Sequence, residues 1–230
     1  MTKISIIIPV LNEALSIEKL VCYLREHGGI SVFEVLVCDG GSSDDTVQLA
    51  RAAGASVIHC PVQCRAAQMN AGARAAQGDV LYFVHADTRP PESFAADIQA
   101  ALQKAYQMGC YRYRFDSPRF LLKINAFFNR FHWLWCQGGD KTFFIRKEIF
   151  EQLGGYDEHY VVMEEYDFLR RAMPQFRLCI VPKYALVSAR KYEVNSWLRV
   201  QWANAVVFRL FRLGRAPQDM RTVYRRLLKH

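Results

Sequence analysis

The strongest constraint on the fold is a repeated alternation between two hydrophobic periodicities over the first 107 residues. Continuous apolar runs, typical of strands covered on both faces, are followed by stretches with helical spacing. The predicted strands are residues 4–10, 32–38, 55–60 and 80–84. The predicted helices are residues 14–27, 43–54, 65–77 and 90–107. Four strand–helix units with short connections predict an α/β protein built on a parallel, doubly wound sheet.

The pattern changes after Gly109, where aromatic residues become frequent and the strands become shorter. Strands are predicted at residues 111–115, 142–146 and 176–182. Helices are predicted at residues 119–135, before Gly154, at residues 164–173 and twice in the last thirty-five residues, with a break near residues 214–217. Because no linker interrupts the chain, we expect one domain with a helical C-terminal tail.

Charge and cysteine usage limit the environment and the partners. The formal net charge of +8 favours nucleic acid, phosphorylated small molecules or an anionic lipid surface. The seven cysteines are scattered and form no CxxC pair, which favours a reducing, cytoplasmic compartment. His59, Cys60 and Cys64 are close enough in sequence to suggest a metal site, but buried thiols at a strand end are the preferred interpretation. No apolar run is long enough for a signal peptide or a membrane span.

Polar residues follow each of the first four predicted strands. Taken singly, each of them could be a helix cap or a solvated side chain. The carboxyl ends of parallel strands meet at one edge of the sheet, where open α/β sheets bind ligands. We therefore expect one pocket that contains Pro9, Asn12, Glu13, Asp39, Gly41, Arg65 and Asp87.

The residue types at this edge are suited to a nucleoside diphosphate that carries a transferable group. Asp39 can accept hydrogen bonds from a base or a ribose, and Arg65 can bind a diphosphate. Asp87 can hold a divalent cation that bridges phosphate oxygens. A dinucleotide-binding dehydrogenase would need a glycine-rich turn after the first strand, but PVLNEA contains no glycine.

Six motifs in order resemble the family 2 glycosyltransferases of the GT-A fold. They are SIIIPVLNEA, VCDGGSSDDT, CRAAQMNAGARAAQGDVLYFVHADT, GGDKTFFIRKEIFEQLGGYDE, MEEYDFLRRA and SARKYE, and they span about residues 4–192. More narrowly, they resemble a small bacterial branch called "transferase 2, rSAM/selenodomain-associated". The resemblance implies a Rossmann-like, mostly parallel sheet flanked by helices, a nucleotide-sugar donor that is usually UDP-linked, Mg²⁺ or Mn²⁺, and inversion at the anomeric carbon. It also implies a nucleotide-sugar-binding half (1–108), an acceptor-side half (109–192) and C-terminal helices (193–230).

The resemblance further implies roles for single residues. Asp39 would read uracil, Glu13 would lie near the ribose, and Arg65 would support the nucleotide. Asp87 matches the last aspartate of the family's DxD metal motif, while His85 stands where an acid is commonest and is expected to pack beside the site. Glu165 matches the catalytic base; the acceptor side would include Gly139, Asp140 and Glu164, and the diphosphate would be supported by Arg190 and Lys191.

Segments 119–136 and 197–213 combine arginine with large apolar residues. Such segments are most often amphipathic helices facing a core, but they also suit docking on the inner face of an anionic membrane near a lipid-linked acceptor. Nucleic-acid binding is disfavoured because no recognised module is present, and the sequence leaves a homodimer open. Two other functions stay open: a non-catalytic protein that binds nucleotide sugars or docks on membranes, and a nucleotidyltransferase, which would release pyrophosphate.

Overall fold

An eight-stranded mixed sheet forms the centre of the computed structural model, which describes residues 2–139 and 141–228. The strands are β1 (Ile4–Val10), β2 (Val32–Asp39), β3 (Ser56–His59), β4 (Val80–Phe83), β5 (Thr88–Arg89), β6 (Met108–Phe115), β7 (Phe143–Arg146) and β8 (Leu178–Val187). Their order across the sheet is β3-β2-β1-β4-β7-β6-β8-β5.

The first four strands are parallel, as the alternation in the sequence predicts. β1 pairs with β2 on one side and with β4 on the other, and β3 extends the sheet from β2. Successive β1 side chains point to opposite faces, so Ile6 and Ile8 join one hydrophobic cluster and Ile7 joins another. Burial on both faces explains the continuous apolar run in the sequence. The second half adds antiparallel pairs, because β7 runs antiparallel to both β4 and β6.

Helices cover both faces of the sheet, which confirms the predicted α/β class. The helices are α1 (Ile17–Gly28), α2 (Thr46–Ala52), α3 (Arg65–Ala75), α4 (Phe94–Gln103), α5 (Phe120–Phe128), α6 (Lys147–Gln152), α7 (Glu164–Ala172), α8 (Lys191–Val194), α9 (Trp197–Arg212) and α10 (Pro217–Leu227). Buried residues of α1 and α4 pack in one cluster, whereas those of α3 and α7 pack in the other. Gly214, with a φ of 65°, ends the turn after α9, and Pro217 begins α10.

Four elements differ from the sequence prediction, and one of them is the short helix α8, which was not predicted. The helix expected at residues 119–135 ends at Phe128, where Asn129 is buried and its Nδ2 donates a hydrogen bond to the Tyr113 carbonyl of β6. The last strand does not stop at Pro182; the register shifts there, and β8 continues to Val187. A bulge accommodates a proline because the missing N–H is not needed in the ladder. The short β5, which pairs with the added part of β8, was not predicted.

The C-terminal helices pack on the loop that precedes α7. Val207, Phe211 and Met220 form a third hydrophobic cluster, against which Tyr160 and Tyr166 pack. Within residues 2–139 and 141–228, no helix combines the length and the apolar character needed to cross a bilayer.

Close packing of α3 on the sheet yields a stability prediction at Gly72. A Cβ on Gly72 would lie 2.5 Å from a methyl group of Ile7 and 2.8 Å from the Cys38 sulfur. Gly72→Ala should therefore lower the free energy of unfolding by about 1–3 kcal/mol, although alanine favours helix. Ala75→Gly at the exposed end of the same helix is the control and should cost at most about 1 kcal/mol. Urea denaturation measures both, and an unchanged or stabilised Gly72→Ala protein would contradict this packing.

Candidate active site

Asp39 ends β2 and is buried at the carboxyl edge of the sheet. Its carboxylate accepts hydrogen bonds from the backbone N–H groups of Gly41 (3.2 Å) and Ser42 (3.0 Å), and the His59 ring lies 3.6 Å away. Burial opposes ionisation, but these hydrogen bonds and the His59 charge outweigh it, so the pKa of Asp39 is lowered. Asp39 is thus an ionised acceptor at the end of the strand.

The loops after β1 and β2 are tied together beside Asp39. The Asn12 N–H donates to Ser42 Oγ (2.9 Å), and the Ser43 N–H donates to Asn12 Oδ1 (2.8 Å). Asn12 and Gly41 have φ values of 56° and 94°, which asparagine and glycine tolerate best. Pro9, the remaining residue predicted here, is half-buried in β1 opposite Cys38.

Gln68, which was not predicted from the sequence, positions the ends of β1 and β2 relative to each other. Its buried Nε2 donates to the Val10 carbonyl (2.8 Å) and to the Cys38 carbonyl (2.7 Å), so it joins the ends of β1 and β2. It lies on α3 three residues after Arg65, on the same helix face. That spacing is the sequence signal that could have identified it.

Arg190 bridges two predicted site residues that come from different strand ends. Its guanidinium donates two hydrogen bonds to the Glu13 carboxylate, one of them 2.9 Å long, and it lies 3.7 Å from Asp87 Oδ2. Arg190 is the N-cap residue of α8 and lies in the segment that connects β8 to this helix. The bridge links the Asp39 side of the edge to Asp87.

A cavity of about 1160 Å³ opens beside Asp87. Six of the predicted site residues line it, namely Arg65, Asp87, Gly139, Glu164, Glu165 and Lys191. Pro9, Asn12, Glu13, Asp39, Gly41 and Arg190 do not line it, but the Glu13–Arg190–Asp87 bridge joins the two groups. Asp140 lies outside the described residues.

Glu164 and Glu165 begin α7 and project toward this cavity. Met163, in a left-handed conformation with a φ of 74°, turns the chain into the helix. Glu164 Oε1 lies 3.6 Å from Arg65 Nη1. Glu165 lies 3.2 Å from His85 Nε2 through one oxygen, and its other oxygen accepts the Gly139 N–H at 2.6 Å. The two glutamates therefore have separate cationic or hydrogen-bonding partners.

Their environments shift the two pKa values in opposite directions. Burial and the neighbouring Glu165 raise the pKa of Glu164 to about 7, although Arg65 opposes the shift. Burial also acts on Glu165, but the hydrogen bond and charge of His85, the charge of Arg65 and the Gly139 N–H lower its pKa. Near neutral pH, Glu165 is ionised while Glu164 exchanges a proton. Adjacent carboxyl groups of different pKa can divide acid and base roles.

No preformed metal cage exists within residues 2–139 and 141–228, where no three His, Cys, Asp or Glu side chains are grouped to hold an ion. Cys60 and Cys64, which the sequence placed near His59, are buried in a hydrophobic cluster with Cys38. This placement agrees with the preferred interpretation of buried thiols.

The comparisons identify the family. A profile described as "Glycosyl transferase family 2" matches residues 5–163. The chain belongs to this family. The comparison with curated proteins finds no match. The narrower bacterial branch that the motifs resemble stays a prediction.

Solved structures share the fold at low identity. Glucosyl-3-phosphoglycerate synthase from Mycobacterium tuberculosis, in complex with Mn²⁺, UDP and glucosyl-3-phosphoglycerate, is 20% identical with a TM-score of 0.66, covering 93% of this chain and 81% of that chain. TarS 1–349 of S. aureus is 18% identical with a TM-score of 0.67, covering 88% of this chain and 65% of that chain. These likenesses confirm the GT-A fold class.

The raised pKa of Glu164 predicts a pH-dependent stability difference. Because its pKa rises from 4.5 to about 7 on folding, the folded protein retains a proton that the unfolded chain loses. The stabilisation of the folded protein by protonated Glu164 is fully present below pH 4.5 and is lost as the pH rises through 7. Relative to the parent, Glu164→Gln should gain stability on the order of 3 kcal/mol between pH 4.5 and 8. Denaturation at several pH values measures this gain.

Glu148→Gln is the matched control, since Glu148 is exposed on α6. Its stability difference from the parent should stay nearly constant over the same pH range. A Glu164→Gln curve that runs parallel to the parent curve would show that Glu164 titrates normally.

Proposed function

We propose that this chain is an inverting glycosyltransferase that moves a sugar from a nucleotide-diphosphate sugar, UDP-linked in our proposal, to a hydroxyl acceptor. The observation that carries the proposal is the continuity from Asp39, through the Glu13–Arg190–Asp87 bridge, to the paired Glu164 and Glu165. Such an edge has room for the nucleotide base near Asp39 and for the reacting sugar near Glu165. Another structure of the M. tuberculosis synthase holds Mn²⁺, UDP-glucose and glycerol 3-phosphate, which supports a nucleotide sugar, a divalent cation and a hydroxyl acceptor as the ligands.

On the donor side, the carboxylate of Asp39 is the hydrogen-bond acceptor for the uracil N–H. Pro9, Asn12 and Gly41 shape the loops around it, and Glu13, which directly follows Asn12, is the proposed partner of the ribose hydroxyls. Arg65, Arg190 and Lys191 supply positive charge for the diphosphate. Lys191 Nζ donates to the Tyr224 hydroxyl at 2.7 Å, which holds it at the cavity wall.

The residues present fit a divalent cation shared with the diphosphate. Asp87 offers one partly exposed carboxylate, and hard cations such as Mg²⁺ and Mn²⁺ bind through one or two carboxylates together with phosphate oxygens. Absence of a three-ligand cage within the described residues agrees with such sharing. When bound, the cation would neutralise charge on the departing diphosphate. Arg190, 3.7 Å from Asp87, adds a protein cation at the same place.

Glu165 is the proposed base that accepts the proton of the attacking acceptor hydroxyl. Its lowered pKa keeps it ionised, and the contacts with His85 and Gly139 orient its two oxygens. Glu164, Gly139 and Asp140 are the proposed acceptor-side residues. The proton moves to Glu165 while the hydroxyl oxygen bonds to the anomeric carbon and the bond to the diphosphate breaks on the opposite face.

We extend the proposal to the organisation of the chain and its setting. The donor half would comprise residues 1–108, the acceptor half residues 109–192 and the C-terminal helices residues 193–230, in one domain. We place the protein in the cytoplasm, with a hexose as the transferred sugar and no nucleic-acid partner. A homodimer and a lipid-linked acceptor stay predictions from the sequence.

Glu165→Gln separates catalysis from binding. Because glutamine cannot take the hydroxyl proton, turnover should fall about 10²- to 10⁴-fold while donor binding survives. Glu148→Gln should keep both. Turnover is followed by UDP release from UDP-sugars over a panel of hydroxyl acceptors, and binding by the donor-induced shift in Tm. Undiminished turnover in Glu165→Gln would remove this residue from its role.

Two other outcomes of the same assay would favour the alternative functions. A parent protein that binds UDP-sugars but turns over none of the acceptors would favour a non-catalytic binding protein. Release of pyrophosphate in place of UDP would indicate a nucleotidyltransferase.

Asp39→Asn and Asp87→Asn test the two ends of the donor site. Asp39→Asn should abolish most of the Tm rise caused by UDP, with or without Mn²⁺, because the amide cannot replace an ionised acceptor. Asp87→Asn should retain UDP binding but lose the additional Tm rise due to Mn²⁺. If Mn²⁺ raises the Tm of the Asp87→Asn protein with UDP as much as that of the parent, Asp87 does not hold the cation.

A further inference from the structure

A patch of five aromatic rings lies on the surface beside the cavity. We call Phe127, Phe128, Phe131, Trp133 and Trp135 the aromatic patch. The rings contact one another in a continuous series, with centroid separations such as 5.5 Å for Phe128–Trp135 and 4.8 Å for Phe131–Trp133. Trp133 and Trp135 are nevertheless 54% and 49% exposed, and Phe127 is 48% exposed. The patch thus packs against itself while much of its area faces outward.

An exposed patch of this kind marks an interaction surface. Contiguous apolar surface is costly to leave in water, so large patches usually meet a partner or a membrane. Tryptophan favours the membrane–water interface, because its ring is apolar while its N–H seeks a polar partner. Trp135 and Trp197 both line the cavity, and Trp133 stacks on Trp135. Trp197 Nε1 donates to Asn125 Oδ1 at 3.2 Å, which joins the start of α9 to α5.

The sequence around the patch carries positive charge without any acid. Residues 117–139 contain Arg119, Lys123 and Arg130 but no Asp or Glu. Residues 194–218, which include all of α9, contain four arginines and again no acid, although the chain has 22 Asp and Glu residues. The four arginines are exposed. Aromatic rings carried by segments that contain basic residues and no acids are complementary to an anionic lipid surface.

The patch is continuous with the mouth of the cavity. Phe128 and Trp135 line the cavity together with Arg209 and Arg212 of α9, and Glu165 lines it as well. A surface that contacts the aromatic patch would therefore lie next to the cavity that Glu165 lines.

From these observations we infer that the aromatic patch, together with Arg209 and Arg212 of α9, docks the protein on an anionic bilayer. Only the meaning of the cavity in this inference rests on the proposed function. Docking places the cavity mouth at the lipid surface. A second copy of the chain is a poorer occupant, because a symmetric contact through this face would oppose arginines to arginines without acids between them.

Vesicle binding tests the inference through the tryptophans themselves. The full chain is mixed with phosphatidylcholine vesicles that contain either no anionic lipid or about one third phosphatidylglycerol. In a parallel set, brominated phosphatidylcholine replaces phosphatidylcholine, because its bromine atoms quench the fluorescence of tryptophans that enter the bilayer. We expect binding to the anionic vesicles only, weakening as salt rises, with quenching by brominated lipid. No binding to the anionic vesicles, or binding without quenching, would overturn the inference.

A double variant outside the cavity lining provides the specific control. Phe127→Ser with Trp133→Ser should weaken binding to anionic vesicles at least about tenfold, since two large apolar side chains no longer enter the interface. Leu15→Ser with Ile30→Ser removes two other exposed apolar side chains and should leave vesicle binding unchanged. Equal binding by both variants would overturn the inference. Retained UDP-induced Tm shifts show that each variant is folded.

The same variants distinguish other partners of the aromatic patch. The inference would be overturned in favour of a second copy of the chain if the protein dimerised with rising concentration and Phe127→Ser with Trp133→Ser abolished this dimerisation. It would be overturned in favour of nucleic acid if a single-stranded oligonucleotide bound tightly at the same face and vesicles did not. UDP binding without vesicle binding defeats only this inference. Vesicle binding without UDP binding defeats the proposed function and leaves the docking face intact.

Discussion

Parallel pairing of β1 with β2 and β4 is the constraint on which the rest of the structure depends. Parallel strands end at the same edge, so the residues that follow them meet although they are far apart in sequence. Gln68 strengthens this edge, because its side-chain amide donates one hydrogen bond to the carbonyl of Val10 at the end of β1 and one to the carbonyl of Cys38 near the end of β2. The Val10 carbonyl also accepts the Gly40 N–H at 3.0 Å, so backbone and side chain together hold this end of β1 next to Asp39.

The other half of the site depends on managing buried charge. Glu164 and Glu165 are adjacent at the start of α7 and little exposed, an arrangement that costs free energy unless each charge is compensated. Arg65, the first residue of α3, and His85, which follows β4, supply that compensation. The parallel sheet therefore positions both Asp39 and the partners that separate the pKa values of the two glutamates.

Much of the fold could be predicted because burial on both faces leaves a strong pattern in β1 and its neighbours. Elements that depend on distant contacts could not be. Asn129 ends α5 through a hydrogen bond to β6, and the bulge at Pro182 depends on the register of β6 against β8. The positions of Asp39 and Asp87 at one edge of the sheet could be predicted from the strand–helix alternation alone. The bridge from Arg190 to Glu13, 177 residues away, leaves no local signal.

The account is tested most directly by a crystal structure of the protein with UDP and Mn²⁺. It predicts uracil within hydrogen-bonding distance of the Asp39 carboxylate, and Mn²⁺ about 2 Å from an Asp87 oxygen while also bound to the diphosphate. UDP bound out of reach of both Asp39 and Asp87 would contradict the claim that the strand ends of this sheet form one nucleotide site.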